Sequence, residues 1–133
     1  MTRVAGAALA LALAGATTTG FAAPDAARGE ALYARCMACH ALAQDRVGPR
    51  HCGLLGRTSG SVRGFDYSPA MQKARIVWNE QTLDRFLASP LRAVPGTSMT
   101  YDGVTDAAER ADLIAYLKQA NRSPECQTKA AAR

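Results

Sequence analysis

The chain of 133 residues has few aromatic residues, few histidines and few segments with the alternating pattern of a β-strand. Aromatic residues make up only 6% of it, so a domain of this size has a modest hydrophobic core. After residue 23, no apolar run approaches the roughly 20 residues of a membrane-spanning helix, which predicts a mature chain without a span. No internal repeat occurs. These absences favour one small domain of helices and loops that needs apolar mass from another source.

Histidine and cysteine are scarce, with two and four residues, yet three of these six form one motif. Cys36, Cys39 and His40 make a C-x-x-C-H sequence, which attaches a c-type haem. Two thiols on one helical turn bond to the two porphyrin vinyl groups, and the next residue carries an imidazole under the iron. The alternative is half of a zinc site, but Cys52, Cys126 and His51 supply no second ligand pair. The motif predicts one covalently attached haem c with an iron ion.

The N-terminus is typical of a secretory signal. A basic start, Met1-Thr2-Arg3, precedes an apolar run from Val4 to Ala16 and a small polar stretch before the sequence Phe21-Ala22-Ala23. A membrane anchor is the alternative, but the apolar run is shorter than a bilayer requires. We therefore predict a signal peptide at residues 1–22, cut after Ala22 with Ala23 as the second choice. The domain then covers residues 23–133, and the protein is located in the periplasm.

Capping residues predict four helices, which begin near Asp25, Ser68, Asn79 and Asp106. We expect the first helix to reach about Ala38, the third to end before Pro90 and the fourth to end at Pro124. Between the first two helices, five glycines between Val47 and Tyr67 predict an irregular loop. Helices separated by glycine-rich loops suit a fold that encloses a planar cofactor.

The iron has a second axial position, for which the chain offers four candidate ligands: Met37, His51, Met71 and Met99. Met37 lies inside the attachment turn. A surface or hydrogen-bonding role suits His51, and core packing suits Met71 on a short helix. Met99 follows a tight turn at Pro95-Gly96 that can hold a thioether against the iron, so we favour Met99.

The sequence resembles a class I cytochrome c, the soluble monohaem electron carrier of bacteria and mitochondria. The resemblance is carried by segments in the family's order: Gly29-Glu-Ala-Leu-Tyr33, Cys36 to His40, Val47-Gly48-Pro49, Gly53-Leu-Leu-Gly56-Arg57, Gly64-Phe-Asp-Tyr67, Ile76-Val-Trp78, Pro95-Gly-Thr-Ser-Met99 and Asp112-Leu-Ile-Ala-Tyr-Leu117. It implies an all-α cytochrome c fold, with helices and glycine-rich loops wrapped around the haem. The first and last helices are expected to cross near Gly29 and Tyr116, with the Met99 loop closing the distal side.

The resemblance also implies roles for individual residues. The Pro49 carbonyl is expected to hold the His40 ring N–H. The buried haem propionates are expected to accept hydrogen bonds from four residues: Arg57, Tyr67, Trp78 and Thr97. Two cysteines remain in an exported chain, and the family's geometry brings Cys52 near Cys126, so we expect a disulfide between them.

Two departures from the family pattern bear on function. Phe86 stands where mitochondrial relatives usually carry a tyrosine that faces the ligand methionine. The lysine cluster beside the methionine loop is absent, because Leu91, Arg92 and Ser98 occupy those positions. Arg63 and Arg92 are the candidate replacements for the docking charge.

Together these features predict a monomeric periplasmic one-electron carrier that is not an enzyme. The expected partners are membrane or periplasmic redox proteins with acidic docking faces: a cytochrome bc1-type reductase, an oxidase or a dehydrogenase. The formal net charge of +5 also suggests nucleic acid, but export argues against that partner. Two alternatives are an enzyme or sensor with a displaceable Met99 and a haem-free interaction module.

Overall fold

The computed structural model describes residue 1 and residues 22–131. The predicted signal peptide therefore lies outside the described residues except at its two ends. The described part contains six helices: α1 (Ala26–Tyr33), α2 (Pro69–Ala74), α3 (Glu80–Ala88), α4 (Pro90–Ala93), α5 (Ala107–Ala120) and α6 (Pro124–Ala131). Residues 22–131 hold no strand, only an isolated bridge between Thr58 and Val77, which confirms the all-α prediction. None of the described helices is long and apolar enough to cross a membrane.

The four predicted caps are confirmed. The Asp25 carboxylate accepts hydrogen bonds from the first turn of α1, and the Asp106 carboxylate accepts one from the Glu109 N–H. The Ser68 hydroxyl accepts the N–H of Met71, while Asn79 and Thr82 exchange hydrogen bonds in a capping box. Each cap satisfies backbone N–H groups that have no partner inside the helix.

The predicted ends of two helices are wrong. α1 stops at Tyr33 rather than Ala38, because the Arg35 and Cys36 N–H groups bond three residues back, to the Leu32 and Tyr33 carbonyls. These tighter turns carry the chain through the attachment motif. Pro124 does not end the chain's helical structure. It opens α6, a position that suits proline because the first helical N–H needs no partner.

α1 crosses α5, and Gly29 lets the two helices approach closely. A Cβ atom added to Gly29 would lie 2.0 Å from the Asp112 carbonyl oxygen and 2.8 Å from the Tyr116 Cβ. The buried Asp112 carboxylate accepts hydrogen bonds from the Asp25 N–H at 2.6 Å and the Arg28 Nε at 2.8 Å. Arg28, followed by the Asp25 N–H, holds the pKa of Asp112 below its usual value. The expected crossing near Gly29 and Tyr116 is confirmed, although α6 follows α5.

The hydrophobic core lies between α1, α3, α5 and the loops. Its buried members include Tyr33, Leu54, Met71, Trp78, Leu83, Phe86, Leu87, Val94, Val104, Leu113, Ile114 and Leu117. Many of them also line a cavity, so the core surrounds a space rather than filling it.

Candidate functional site

A cavity of about 360 Å³ opens into the core, within the size range of small-molecule and cofactor sites. Its walls are mostly apolar and come from the loops, α2, α3 and α5. Eight residues predicted to contact haem line this one cavity: Cys36, Cys39, His40, Arg57, Tyr67, Trp78, Thr97 and Met99. The fold thus brings together residues that are up to 63 positions apart in the sequence.

The His40 imidazole is held in one tautomer. Its Nδ1 lies 2.8 Å from the Pro49 carbonyl oxygen, which can only accept, so Nδ1 carries the proton and Nε2 keeps a lone pair. Burial lowers the pKa of His40, against the opposing effect of this hydrogen bond, which favours the neutral ring. A Cβ atom on Gly48 would lie 2.2 Å from the ring's Cε1, so only glycine lets the backbone pass there. A neutral imidazole with a free Nε2 is a metal ligand.

The two motif cysteines lie on one turn. The N–H groups of Cys39 and His40 both bond to the Cys36 carbonyl, at 3.1 and 2.8 Å. Cys36 is half-buried, Cys39 is exposed, and neither is in a disulfide. Burial raises the pKa of the Cys36 thiol. Across residues 22–131, no three His, Cys, Asp or Glu side chains group as a metal site, so the zinc alternative finds no further ligands.

The four candidate distal ligands differ in placement. Met37 is 54% exposed and does not line the cavity, and the His51 Nδ1 lies 3.0 Å from the Tyr33 hydroxyl. Met71 lines the cavity but is buried in the core. Met99 lines it from a loop, half-buried, with its N–H bonded to the Thr97 Oγ1 at 3.3 Å.

The turn that precedes Met99 requires glycine. Gly96 has a φ of +88°, in the region that other residues rarely adopt. The Thr97 N–H bonds to the Val94 carbonyl at 3.0 Å and closes this turn. Phe86 is buried on the cavity wall, with its ring centroid 5.0 Å from that of Trp78, so no hydroxyl faces the cavity there.

The four residues expected to bind propionates all line the cavity. Trp78 and Thr97 are buried, and the Arg57 guanidinium donates to the Arg50 and Cys52 carbonyls at 3.0 and 3.2 Å. Burial raises the pKa of the Tyr67 hydroxyl, while the positive charge of Arg57 opposes the shift. Fixed N–H and O–H groups on an apolar wall suit the carboxylates of a largely buried ligand.

His51 has the hydrogen-bonding role that the sequence favoured, through the Tyr33 hydroxyl, and the structure also places it against His40. The ring centroids of the two histidines are 4.3 Å apart, with an angle of 22° between the ring planes. Burial holds the pKa of His51 well below its usual value. The signal that points to this placement is proximity: His51 lies two residues after Pro49, whose carbonyl bonds to His40.

The structure joins Cys52 to Cys126 by a disulfide, with the Cα atoms 5.0 Å apart. Both cysteines are buried and pack with Ala43 in a small separate cluster. The bond connects α6 to the loop that carries Pro49 and His51. Beside it, the Leu54 N–H donates to the Asn121 Oδ1 at 3.0 Å.

Comparison with known proteins identifies the family. The Cytochrome c family model matches residues 26–121. Cytochrome c2 of Blastochloris viridis is 43% identical over 103 residues, covering 75% of this chain and 81% of the relative. Cytochrome c of Chlamydomonas reinhardtii is 44% identical over 100 residues, covering 72% of this chain and 89% of the relative.

A solved structure agrees with the sequence matches. Cytochrome cH from Methylobacterium extorquens superposes with a TM-score of 0.70 at 40% identity, covering 71% of this chain and 98% of the other. The apolar cavity with its attachment turn, free imidazole nitrogen and thioether fits the haem that this family carries. The chain therefore belongs to the class I cytochromes c, and it is an electron carrier with one covalently attached haem c.

Proposed function

We propose that this protein is a periplasmic one-electron carrier whose haem is attached through Cys36 and Cys39, with His40 and Met99 as axial ligands. The observation that carries the proposal is the placement of His40 and Met99 on one cavity. The Nδ1 of His40 is taken by the Pro49 carbonyl, which leaves Nε2 for the iron. The haem supplies one-electron exchange between ferric and ferrous iron.

The chain's own residues tune and protect that exchange. The Pro49 carbonyl fixes the tautomer of the His40 imidazole and raises its basicity, and the Gly96 turn holds the Met99 side chain on the cavity wall. Buried apolar walls exclude water, which favours the less charged ferrous centre. Arg57, Tyr67, Trp78 and Thr97 would bind the propionates. If His40 and Met99 both hold the iron, the chain would leave no position for a substrate there, so we propose a carrier and not an enzyme.

Docking and location form the second part of the proposal. A monomer would meet partners at the exposed haem edge, where Cys39 reaches solvent. Exposed Arg63 and Arg92 would supply the docking charge that lysines carry in the family, which favours acidic faces on a bc1-type reductase, an oxidase or a dehydrogenase. Export removes residues 1–22 in this proposal, and N-terminal sequencing of the purified protein checks the cut after Ala22.

The ligand assignment is tested with two matched variants, Met99→Leu and Met71→Leu. Both remove a thioether from the same cavity and keep an apolar side chain. Met99→Leu should abolish the near-infrared band of a thioether bound to ferric iron. It should also lower the reduction potential by more than about 59 mV, a tenfold change in a one-electron equilibrium. Met71→Leu should change neither property.

The outcomes separate the alternatives. If Met71→Leu loses the band and Met99→Leu keeps it, the distal ligand is Met71. If the unaltered protein lacks the band and binds carbon monoxide at once, the site is open and the chain is a ligand-binding sensor or enzyme. A pyridine haemochrome assay that finds no haem c would refute the whole proposal.

A further inference from the structure

The His40 imidazole touches a second imidazole. The His51 ring stacks on it at a centroid distance of 4.3 Å, nearly parallel, and His51 also lines the cavity. The other contact of His51 is polar: its Nδ1 lies 3.0 Å from the hydroxyl of Tyr33, the last residue of α1. Tyr33 is buried, and its ring meets the His51 ring edge to face at 5.6 Å. The three side chains form a continuous row of contacts from α1 to the candidate iron ligand.

One hydrogen bond leaves an imidazole free to swing. The bond from Nδ1 to the Pro49 carbonyl fixes one atom of the His40 ring, but the ring can still tilt about that contact. A flat ring packed against its face blocks such a tilt, because the edge of His40 would run into His51.

His51 is itself held at both its backbone and its side chain. Its N–H donates to the Ala41 carbonyl at 3.1 Å, and the next N–H, of Cys52, donates to the Leu42 carbonyl at 2.7 Å. The Tyr33 hydroxyl then fixes the direction of the ring. Because the Ala41 carbonyl and the Tyr33 hydroxyl both restrain His51, its ring keeps a fixed position against the His40 ring.

We propose that His51, anchored by the Tyr33 hydroxyl, is a positioning residue that sets the plane of the His40 imidazole at the iron. The proposal rests on the proposed function, since it takes His40 as the axial ligand. It assigns no proton transfer to His51 and no direct contact with the iron. Its consequence is that side chains one layer behind the ligand influence the electronic structure of the haem.

The expected effects follow from the lost restraint. In His51→Leu the His40 ring can tilt, the bond to the Pro49 carbonyl lengthens, and the imidazole becomes a weaker donor to ferric iron. The ferrous state should gain at least threefold in the one-electron equilibrium, a rise of about 28 mV at 59 mV per tenfold change. Because ligand orientation determines the spin distribution of low-spin ferric haem, the pattern of the four haem-methyl proton resonances should also change.

The experiment uses the holoprotein and four variants. His51→Leu removes the stacked ring, His51→Phe restores a ring without a hydrogen bond, and Tyr33→Phe removes only the anchor. Tyr116→Phe is the matched control, because the Tyr116 ring lies 5.1 Å from that of Tyr33 and makes no ring contact with either histidine. Reduction potential and ferric haem-methyl resonances are measured for each protein.

We expect the largest change for His51→Leu, smaller and similar changes for His51→Phe and Tyr33→Phe, and none for Tyr116→Phe. A folded His51→Leu holoprotein with the original methyl pattern and potential would overturn the proposal. If that variant does not accumulate, an unchanged Tyr33→Phe protein overturns it instead. Failure of the proposed function is visible separately, since the unaltered protein would then lack the His/Met spectrum.

Discussion

Breaking the bond between Cys52 and Cys126 should remove a large part of the free energy of unfolding while leaving the haem intact. The two residues are 74 positions apart, so the bond closes a loop of about 75 residues. The chain-entropy relation assigns such a loop about 4.5 kcal/mol at 25 °C, and native disulfides typically contribute about 2–4 kcal/mol. With a slope of about 1.5 kcal/mol per M urea, a loss of about 3 kcal/mol lowers the unfolding midpoint by about 2 M.

The assay compares Cys52→Ala, Cys126→Ala and the double variant by urea unfolding of the ferric holoprotein. Because either substitution breaks the same bond, each single variant should lose nearly as much stability as the double variant. Both cysteines are buried, so the side-chain packing lost in each variant adds a smaller cost. The Soret spectrum and the reduction potential should stay nearly constant.

Two results would refute this reasoning. If the single effects add up to the effect of the double variant, the cysteines act as separate buried side chains. Alkylation of Cys52 or Cys126 in the native, unreduced protein would show free thiols directly, and mass spectrometry of non-reduced peptides provides the matching positive result.

Two further predictions concern pH. Residues 90–99 contain no lysine, and Lys118 is paired with Glu80. At high pH, hydroxide or the exposed Lys73 should therefore replace Met99 as the iron ligand. A lysine-ligated species in the magnetic resonance spectrum of Lys73→Ala at high pH would contradict this. Because Arg28 lowers the pKa of Asp112 in the folded state below the unfolded value of about 3.9, the carboxylate adds stability at neutral pH that is lost as the pH falls through the folded pKa. Asp112→Asn should therefore lower the urea midpoint at pH 7, and its effect should shrink as the pH is taken progressively below the unfolded value of about 3.9; an effect that stays constant over that range would refute the assignment.

Local signals predicted much of this molecule. The attachment motif, the four caps and the turn before Met99 each depend on residues within a few positions of one another, and short-range sequence patterns describe such features well. The crossing at Gly29 required the resemblance to the cytochromes c, since nothing local connects Gly29 to Asp112 and Tyr116.

The features that sequence reasoning missed depend on tertiary contacts. The end of α1 at Tyr33 results from tight turns that bring Cys36 and His40 to the cavity, where helix propensity alone would continue the helix. Pro124 is compatible with the end of one helix or the start of the next. Here it starts α6, which brings Cys126 back toward Cys52. For His51, the sequence favoured a surface or hydrogen-bonding role, but its short distance from Pro49 along the chain does not by itself show that its ring stacks on His40.

The loop from Gly48 to Arg57 is held by two kinds of restraint that act on different properties. Short-range hydrogen bonds, including those from Arg57 to the Arg50 and Cys52 carbonyls, hold the backbone of this loop, and we expect them to persist when the disulfide is open. The disulfide spans most of the domain and changes mainly the entropy of the unfolded chain. Stability and ligand geometry should therefore respond independently: cysteine variants change the urea midpoint at nearly constant potential, whereas Tyr33→Phe changes the haem-methyl pattern with a smaller loss of stability. This separation would allow a small domain to be stabilised without altering the ligand geometry of its haem.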